Sequence, residues 1–198
     1  KQMTIEEIDE LVDAHGAASV RVRKSGLDGV ELLSAFGYLP AAFLSPYSNN
    51  RSDDYGGSLE NRMRFLLRSI DAVRTGIGSD RVLGVRLPGD EQVEGGLSQS
   101  ELQDIAALIA QTGKVDYLNI IVGTNYDRSG RMIHWPPTPA PHGLFVPLAA
   151  GIKSRVDLPV FTAGRITDPA MANKIIEQGD ADMVGMTRAK ISDPNLVQ

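Results

Sequence analysis

Cysteine is missing from all 198 residues. Disulfides, thiolate metal sites and a cysteine nucleophile are thereby excluded. The absence is compatible with the cytoplasmic location expected here. Positive charge is also in short supply: 20 Lys and Arg face 25 Asp and Glu, a net charge of −5. Nucleic acid and anionic membrane need a basic surface, so neither is expected as a partner. No apolar run is long enough to cross a bilayer, and no signal-peptide pattern opens the chain. The three histidines, His15, His134 and His142, show no HExxH or other metal spacing, so no metal site is expected. No strand-like run leads into GxGxxG or a P-loop lysine. A doubly wound dinucleotide sheet therefore lacks its usual support.

What remains has ordinary globular composition, 42% hydrophobic and 23% charged, enough for a buried core. Nearly continuous apolar runs at Leu27–Leu33, Arg81–Leu87, Val115–Val122, Leu158–Ala163 and Ala181–Met186 read as strands buried on both faces. Helical patterns lie between them. Thr4 with Glu7, and Ser98 with Glu101, are capping boxes. Leu59–Thr75 carries apolar residues at helical spacing, and Pro147–Arg155 reads as a shorter helix. Asp168 before Pro169 starts another, which Gly179 ends.

Alternating strands and helices imply an α/β fold with a parallel sheet. Polar residues gather just after the strand ends, the pattern of a (β/α)8 TIM barrel. A complete barrel takes eight strands and about 250 residues, and this chain supplies five strands and opens on a helix. The expectation is a partial barrel, with N-terminal βα units absent.

Three strand ends carry arginine. Gly164-Arg165 follows the fourth strand and Thr187-Arg188 the fifth. In barrels the last two loops often hold a phosphate on backbone N–H groups. Either arginine alone reads as a surface residue paired with Asp168 or Asp193; the two together read as a phosphate site. Arg86 ends an apolar strand, so it must be paired, with Asp90 or Glu31, or functional. A cation there suits a ligand that gains negative charge, such as a reduced flavin ring. Tyr38 can donate a proton or simply pack. Trp135, in the Pro-rich "HWPPTPAPHG", can form a stiff lid, hold a cationic amine, or pack within its own loop. His15, mid-helix, reads as structural.

One stretch is more specific. "NNRSDDYGGSLENRMRF", with "DGVELLSAFGYLPAAFLSPYS" before it, resembles the old yellow enzyme family of FMN-dependent barrel oxidoreductases. The pattern N-x-R-x-D-x-Y-G-G-S-x-E-N-R-x-R-F is matched from Asn49 to Phe65. "GVRL", "TAGRITDP" and "GMTRAKISDP" extend the resemblance over essentially the whole chain. It implies that the five strands are the fourth to eighth of the barrel, residues 1–198 being the C-terminal portion of one FMN-binding domain. It implies that Arg86 lies beside the flavin N1 and O2 edge. Ala163, Gly164, Arg165, Thr187 and Arg188 would cradle the phosphate, and Tyr38 would be the active-site tyrosine. The Asn49–Phe65 stretch is expected to brace the loop carrying Tyr38 and cap the next helix, with no catalytic role.

Alkene-reducing members place His, then His or Asn, where this chain has Leu33 and Phe36. Neither can hydrogen-bond a substrate carbonyl. "VGTNYDRSGRMIHWPPTPAPHG" and "GDADMVGMTRAKISDPNLV" resemble the trimethylamine and dimethylglycine dehydrogenase-like branch. The implied activity is oxidation of an N-methylated amine by hydride transfer to flavin N5, with Leu33, Phe36 and Trp135 contacting substrate. The iminium product would hydrolyse to an aldehyde and a smaller amine. Relatives often carry a 4Fe-4S cluster beyond the "DP-x-L" segment, and this chain has no ligands for one. The electron partner would be an acceptor protein or NAD(P)H. Three alternatives stand beside this: an NAD(P)H-dependent enoate-type reductase, an inactive half-barrel or module completed by another chain or a second copy, and a phosphosugar barrel. The last lacks the expected lysine or paired carboxylates.

Overall fold

The computed structural model describes residues 2–196, so Val197 of the final motif lies outside them. Five strands form one parallel sheet in sequence order: β1 Gly29–Leu33, β2 Val82–Pro88, β3 Tyr117–Ile121, β4 Val160–Thr162 and β5 Met183–Val184. Every expected strand is present, trimmed by one or two residues at most ends, with β2 one residue longer at its C-terminal end. Eight helices are described: α1 Ile5–Lys24, α2 Leu39–Leu44, α3 Leu59–Ile77, α4 Gln99–Gln111, α5 Arg128–His134, α6 Val146–Lys153, α7 Pro169–Glu177 and α8 Thr187–Ser192. Strand and helix alternate in the manner of a partial (β/α) barrel.

Both capping boxes form. Thr4 accepts from Glu7 N–H, and Glu7 reaches back to Thr4 N–H at 2.8 Å. Ser98 and Glu101 do the same at the start of α4. Asp168 caps α7 through Met171 N–H, with Pro169 in the first turn. The helices α3, α4 and α6 cover one face of the sheet. Leu66, Ile70, Ile105, Ile109 and Ile152 there meet Leu83, Val85, Leu87, Leu118 and Val160 in one buried cluster. Each fully buried Leu or Ile side chain contributes about 1.5–3 kcal/mol. Helix α1 packs along α3, and small residues permit the close approach: a Cβ on Gly76 would stand 2.6 Å from the Gly16 carbonyl oxygen. His15 is structural, its Nδ1 lying 3.1 Å from Ser69 Oγ.

The sheet's other face carries different chemistry. Strand register aligns Glu31, Gly84 and Tyr117 in one layer, and Leu33, Arg86, Asn119 and Phe161 in the next. Because side chains alternate along a strand, these residues share the face opposite the helices. Three short helices differ from the sequence expectation, which left their residues in loops. Helices α2, α5 and α8 have seven residues or fewer, too few for apolar periodicity to show.

Candidate functional site

Strand β1 hands the chain to its loop through two left-handed residues, Phe36 at φ 62° and Gly37 at φ 75°. An aromatic residue pays a steric penalty in that region. Cross-loop contacts hold it there: Asn125 N–H donates to Phe36 O at 3.0 Å, and Phe36 bridges Thr124 as a parallel pair. A side chain at Gly37 would collide with the Tyr126 ring at 2.7 Å. The turn thus couples the loops after β1 and β3.

This coupling assembles a chain of rings. Phe36 meets Tyr38 edge-on at 6.5 Å and stacks on His134 at 3.3 Å. His134 meets Trp135 at 4.3 Å. Tyr38 precedes α2 as its cap residue and is 54% exposed, with Trp135 at 68%. Leu33 lies beside Arg86 in register and is also exposed. Leu33, Phe36, Tyr38 and Trp135 therefore gather at one end of the sheet. The link between them is His134, a residue the sequence marks only as lacking metal spacing. It is buried, its Nδ1 has no partner, and it closes α5. Burial first, then the Arg86 charge, pulls its pKa down to about 4. The imidazole is neutral at pH 7.

His134 also lines a hollow of about 340 Å³ together with Ala163, Gly164, Arg165, Thr187 and Arg188. The five residues expected to cradle a phosphate thus line one cavity. Neither Asp168 nor Asp193 pairs with the arginines. Arg165 instead donates to the Pro137 carbonyl at 2.7 Å and contacts His142 Nε2 at 2.9 Å. Arg188 donates to the Pro136 carbonyl at 3.0 Å. Backbone carbonyls are neutral partners and leave both charges uncompensated. Arg165 Nε is buried without a partner. Among the described residues, no turn or side-chain bond takes up the N–H groups of Gly164, Arg165, Thr187 or Arg188. Two guanidiniums and open N–H donors around one hollow suit a phosphate dianion. A hollow of the same volume near Asn49 and Arg51 offers no free guanidinium, since Arg51 is engaged by Asp53 and the Met3 carbonyl.

Arg86 resolves in favour of Glu31, its Nε lying 2.9 Å from Glu31 Oε1. The Nε–H does not align for a hydrogen bond, so the contact is an ion pair. Asp90 instead caps its own turn through Gln92 N–H. Both terminal nitrogens of Arg86 lack a protein hydrogen bond among the described residues. Arg86, the ring chain and the phosphate-sized hollow share His134 as a common neighbour.

The stretch from Asn49 to Phe65 differs. Asn49 donates to the carbonyls of Phe43 (2.6 Å) and Tyr55 (2.7 Å) and accepts from Arg51 N–H (3.1 Å). Arg62 binds the carbonyls of Leu44 and Gly57, and Arg64 that of Asp54. Ser58 caps α3. The polar groups satisfy the backbone and one another, as expected of a brace.

Comparison with known proteins bears on the family and the fold. The family model described as NADH:flavin oxidoreductase / NADH oxidase family matches residues 1–198. An N,N-dimethylglycine/sarcosine dehydrogenase of Chromohalobacter salexigens is 41% identical over 100% of the chain and 28% of that protein. An NADH oxidase of Thermoanaerobacter brockii is 39% identical over 98% of the chain and 29% of its own length. The structure of a 2-naphthoyl-CoA reductase superposes with a TM-score of 0.91 at 34% identity, covering 99% of the chain and 29% of that protein. The chain thus spans less than a third of the length of these relatives.

Proposed function

The chain belongs to the NADH:flavin oxidoreductase / NADH oxidase family, the old yellow enzyme family, and on that premise we propose that it holds FMN and oxidises an N-methylated amine. One observation supports this most: Leu33 and Phe36, which cannot hydrogen-bond a carbonyl, stand with the neutral His134 and the Tyr38 phenol around the ring chain at the end of β1.

FMN fits the residues present. Arg165, Arg188 and the N–H groups of Gly164 and Thr187 would hold the phosphate, and Ala163 would line its path. The free terminal nitrogens of Arg86 would hold the pyrimidine edge. When bound, FMN supplies the acceptor for a hydride from an N-methyl carbon. The protein's part is placement and electrostatics. Phe36, Tyr38 and Trp135 offer ring faces and edges to a cationic amine, worth about 0.5–2 kcal/mol each. His134 stays neutral and adds no repulsion. Leu33 and Phe36 exclude water from the methyl group. Tyr38, exposed at the rim, can move a proton between substrate and solvent.

A second reading has NAD(P)H as the electron donor, in line with the NADH oxidase relative. Absorbance of the FMN-loaded protein separates the readings. Bleaching by dimethylglycine or trimethylamine supports amine oxidation. Bleaching by NADPH alone replaces it with the second reading.

A further inference from the structure

The carboxylate of Glu31 receives more support than a strand-end salt bridge needs. Its Oε1 faces Arg86 Nε at 2.9 Å. Its Oε2 accepts from Tyr117 OH at 3.0 Å and from Asn119 Nδ2 at 2.8 Å. Tyr117 reaches it across β2 because residue 84 is glycine; a Cβ there would stand 2.0 Å from the Tyr117 ring. Phe161 stacks on the same ring at 4.5 Å and 14°. Residues on three strands thus serve one carboxylate on a fourth, and its partner is the arginine at the strand end.

Stability does not explain this arrangement. Arg86 and Glu31 side chains keep 35% and 25% of their exposure, and ion pairs that open to water contribute about 0–1 kcal/mol. Geometry explains it better. Glu31 sits one layer deeper than Arg86 on the neighbouring strand, so it engages Nε from below. An unbound arginine carries about 2 kcal/mol of rotamer entropy, and ordering it before the ligand arrives removes that cost from binding.

Resting on the flavin reading above, we propose that Glu31 is a positioning residue: held by Tyr117 and Asn119, it fixes the Arg86 guanidinium so that both terminal nitrogens stay available to an anionic ring edge. Two roles for Glu31 predict opposite signs. As a mere negative charge, its neutralisation would raise the midpoint potential of bound FMN, because charge gained on reduction would be repelled less. As the holder of Arg86, its neutralisation lowers that potential, because the compensating cation is lost.

The test uses the FMN-loaded protein with Glu31→Gln, Arg86→Ala and the double variant, measuring FMN affinity by fluorescence titration and midpoint potential by dye equilibration. Glu31→Gln is expected to weaken FMN about tenfold and lower the potential. In the Arg86→Ala background the same change is expected to alter affinity less than about twofold. Equal effects in both backgrounds, or a raised potential with Arg86 present, would overturn the proposal. Tyr117→Phe, which keeps the carboxylate, is expected to give a smaller fall of the same sign; no fall would also count against it. Failure of the unaltered protein to bind FMN would remove the flavin reading itself, whereas normal binding with an indifferent Glu31→Gln removes only this inference.

Discussion

Two polar regions of the molecule invite comparison, the brace from Asn49 to Phe65 and the hollow at the ends of β4 and β5. The brace is denser in polar side chains, with three Asn, three Arg and two Asp between Ser45 and Phe65. Yet Asn49, Arg51, Arg62 and Arg64 spend donors on backbone carbonyls, on a carboxylate or, for Arg64, also on the Asn61 amide oxygen. The hollow has fewer polar groups, but Arg165 Nε and His134 Nδ1 are buried there without partners. A buried polar group without a partner costs about 1–3 kcal/mol. A fold tolerates that where a ligand completes the set. Hydrogen bonds left unmade, more than polar density, distinguish a site from a scaffold.

The largest expected effect breaks the brace. Asn49→Ala removes three hydrogen bonds, at about 1 kcal/mol each, so unfolding in urea should show a loss of ~3 kcal/mol. FMN affinity of the protein that remains folded should stay unchanged, measured by titration at low temperature. A large affinity loss would erase the distinction between the two regions.

The next effect probes the hollow. Arg188→Ala should weaken FMN about thirtyfold, in line with one charge-assisted hydrogen bond of ~2 kcal/mol. Its cost in the same urea experiment should be smaller than that of Asn49→Ala. A greater loss of stability than of affinity would make Arg188 part of the scaffold.

Acid sharpens the contrast. His134 has a folded value of about 4 against an ordinary 6.5, so the unfolded chain binds more protons between those limits. Its contribution is complete above pH 6.5 and is lost as pH falls toward 4. His15, lowered by burial, acts in the same direction. Glu91, raised by burial despite bonds from Ser45 and Leu97 N–H, opposes them. His134→Phe keeps the ring stack and should flatten the fall in urea midpoint between pH 7 and pH 5; an unaltered slope would place the titration elsewhere.

Trp135→Ala should have the smallest effect on folding. The side chain is exposed, so stability should move by no more than ~0.5 kcal/mol. The KM for a methylated amine should rise several-fold, as about 1 kcal/mol of ring–cation attraction implies. An unchanged KM would confine Trp135 to its own loop.

Much of this was legible from residue order. Capping boxes and apolar runs announced the longer helices and every strand, because each uses local rules that repeat over many residues. The brace was legible only through the family resemblance, and its side chains bond mostly to nearby backbone. His134 was not, because its position depends on Phe36, about a hundred residues earlier, adopting a left-handed turn. The choice of Glu31 over Asp90 for Arg86 was also hidden. Only strand register shows that Glu31 sits one layer below it, with Gly84 opening the path for Tyr117.

The central claim is that the guanidiniums at the ends of β4 and β5 hold a phosphate. Riboflavin has the same ring system as FMN without that group. Competitive titration of both flavins should show a strong preference for FMN in the unaltered protein, on the order of a thousandfold for two charge-assisted contacts of ~2 kcal/mol each. The Arg165→Ala/Arg188→Ala double variant should bind the two flavins almost equally. A preference that survives the double substitution would contradict the account.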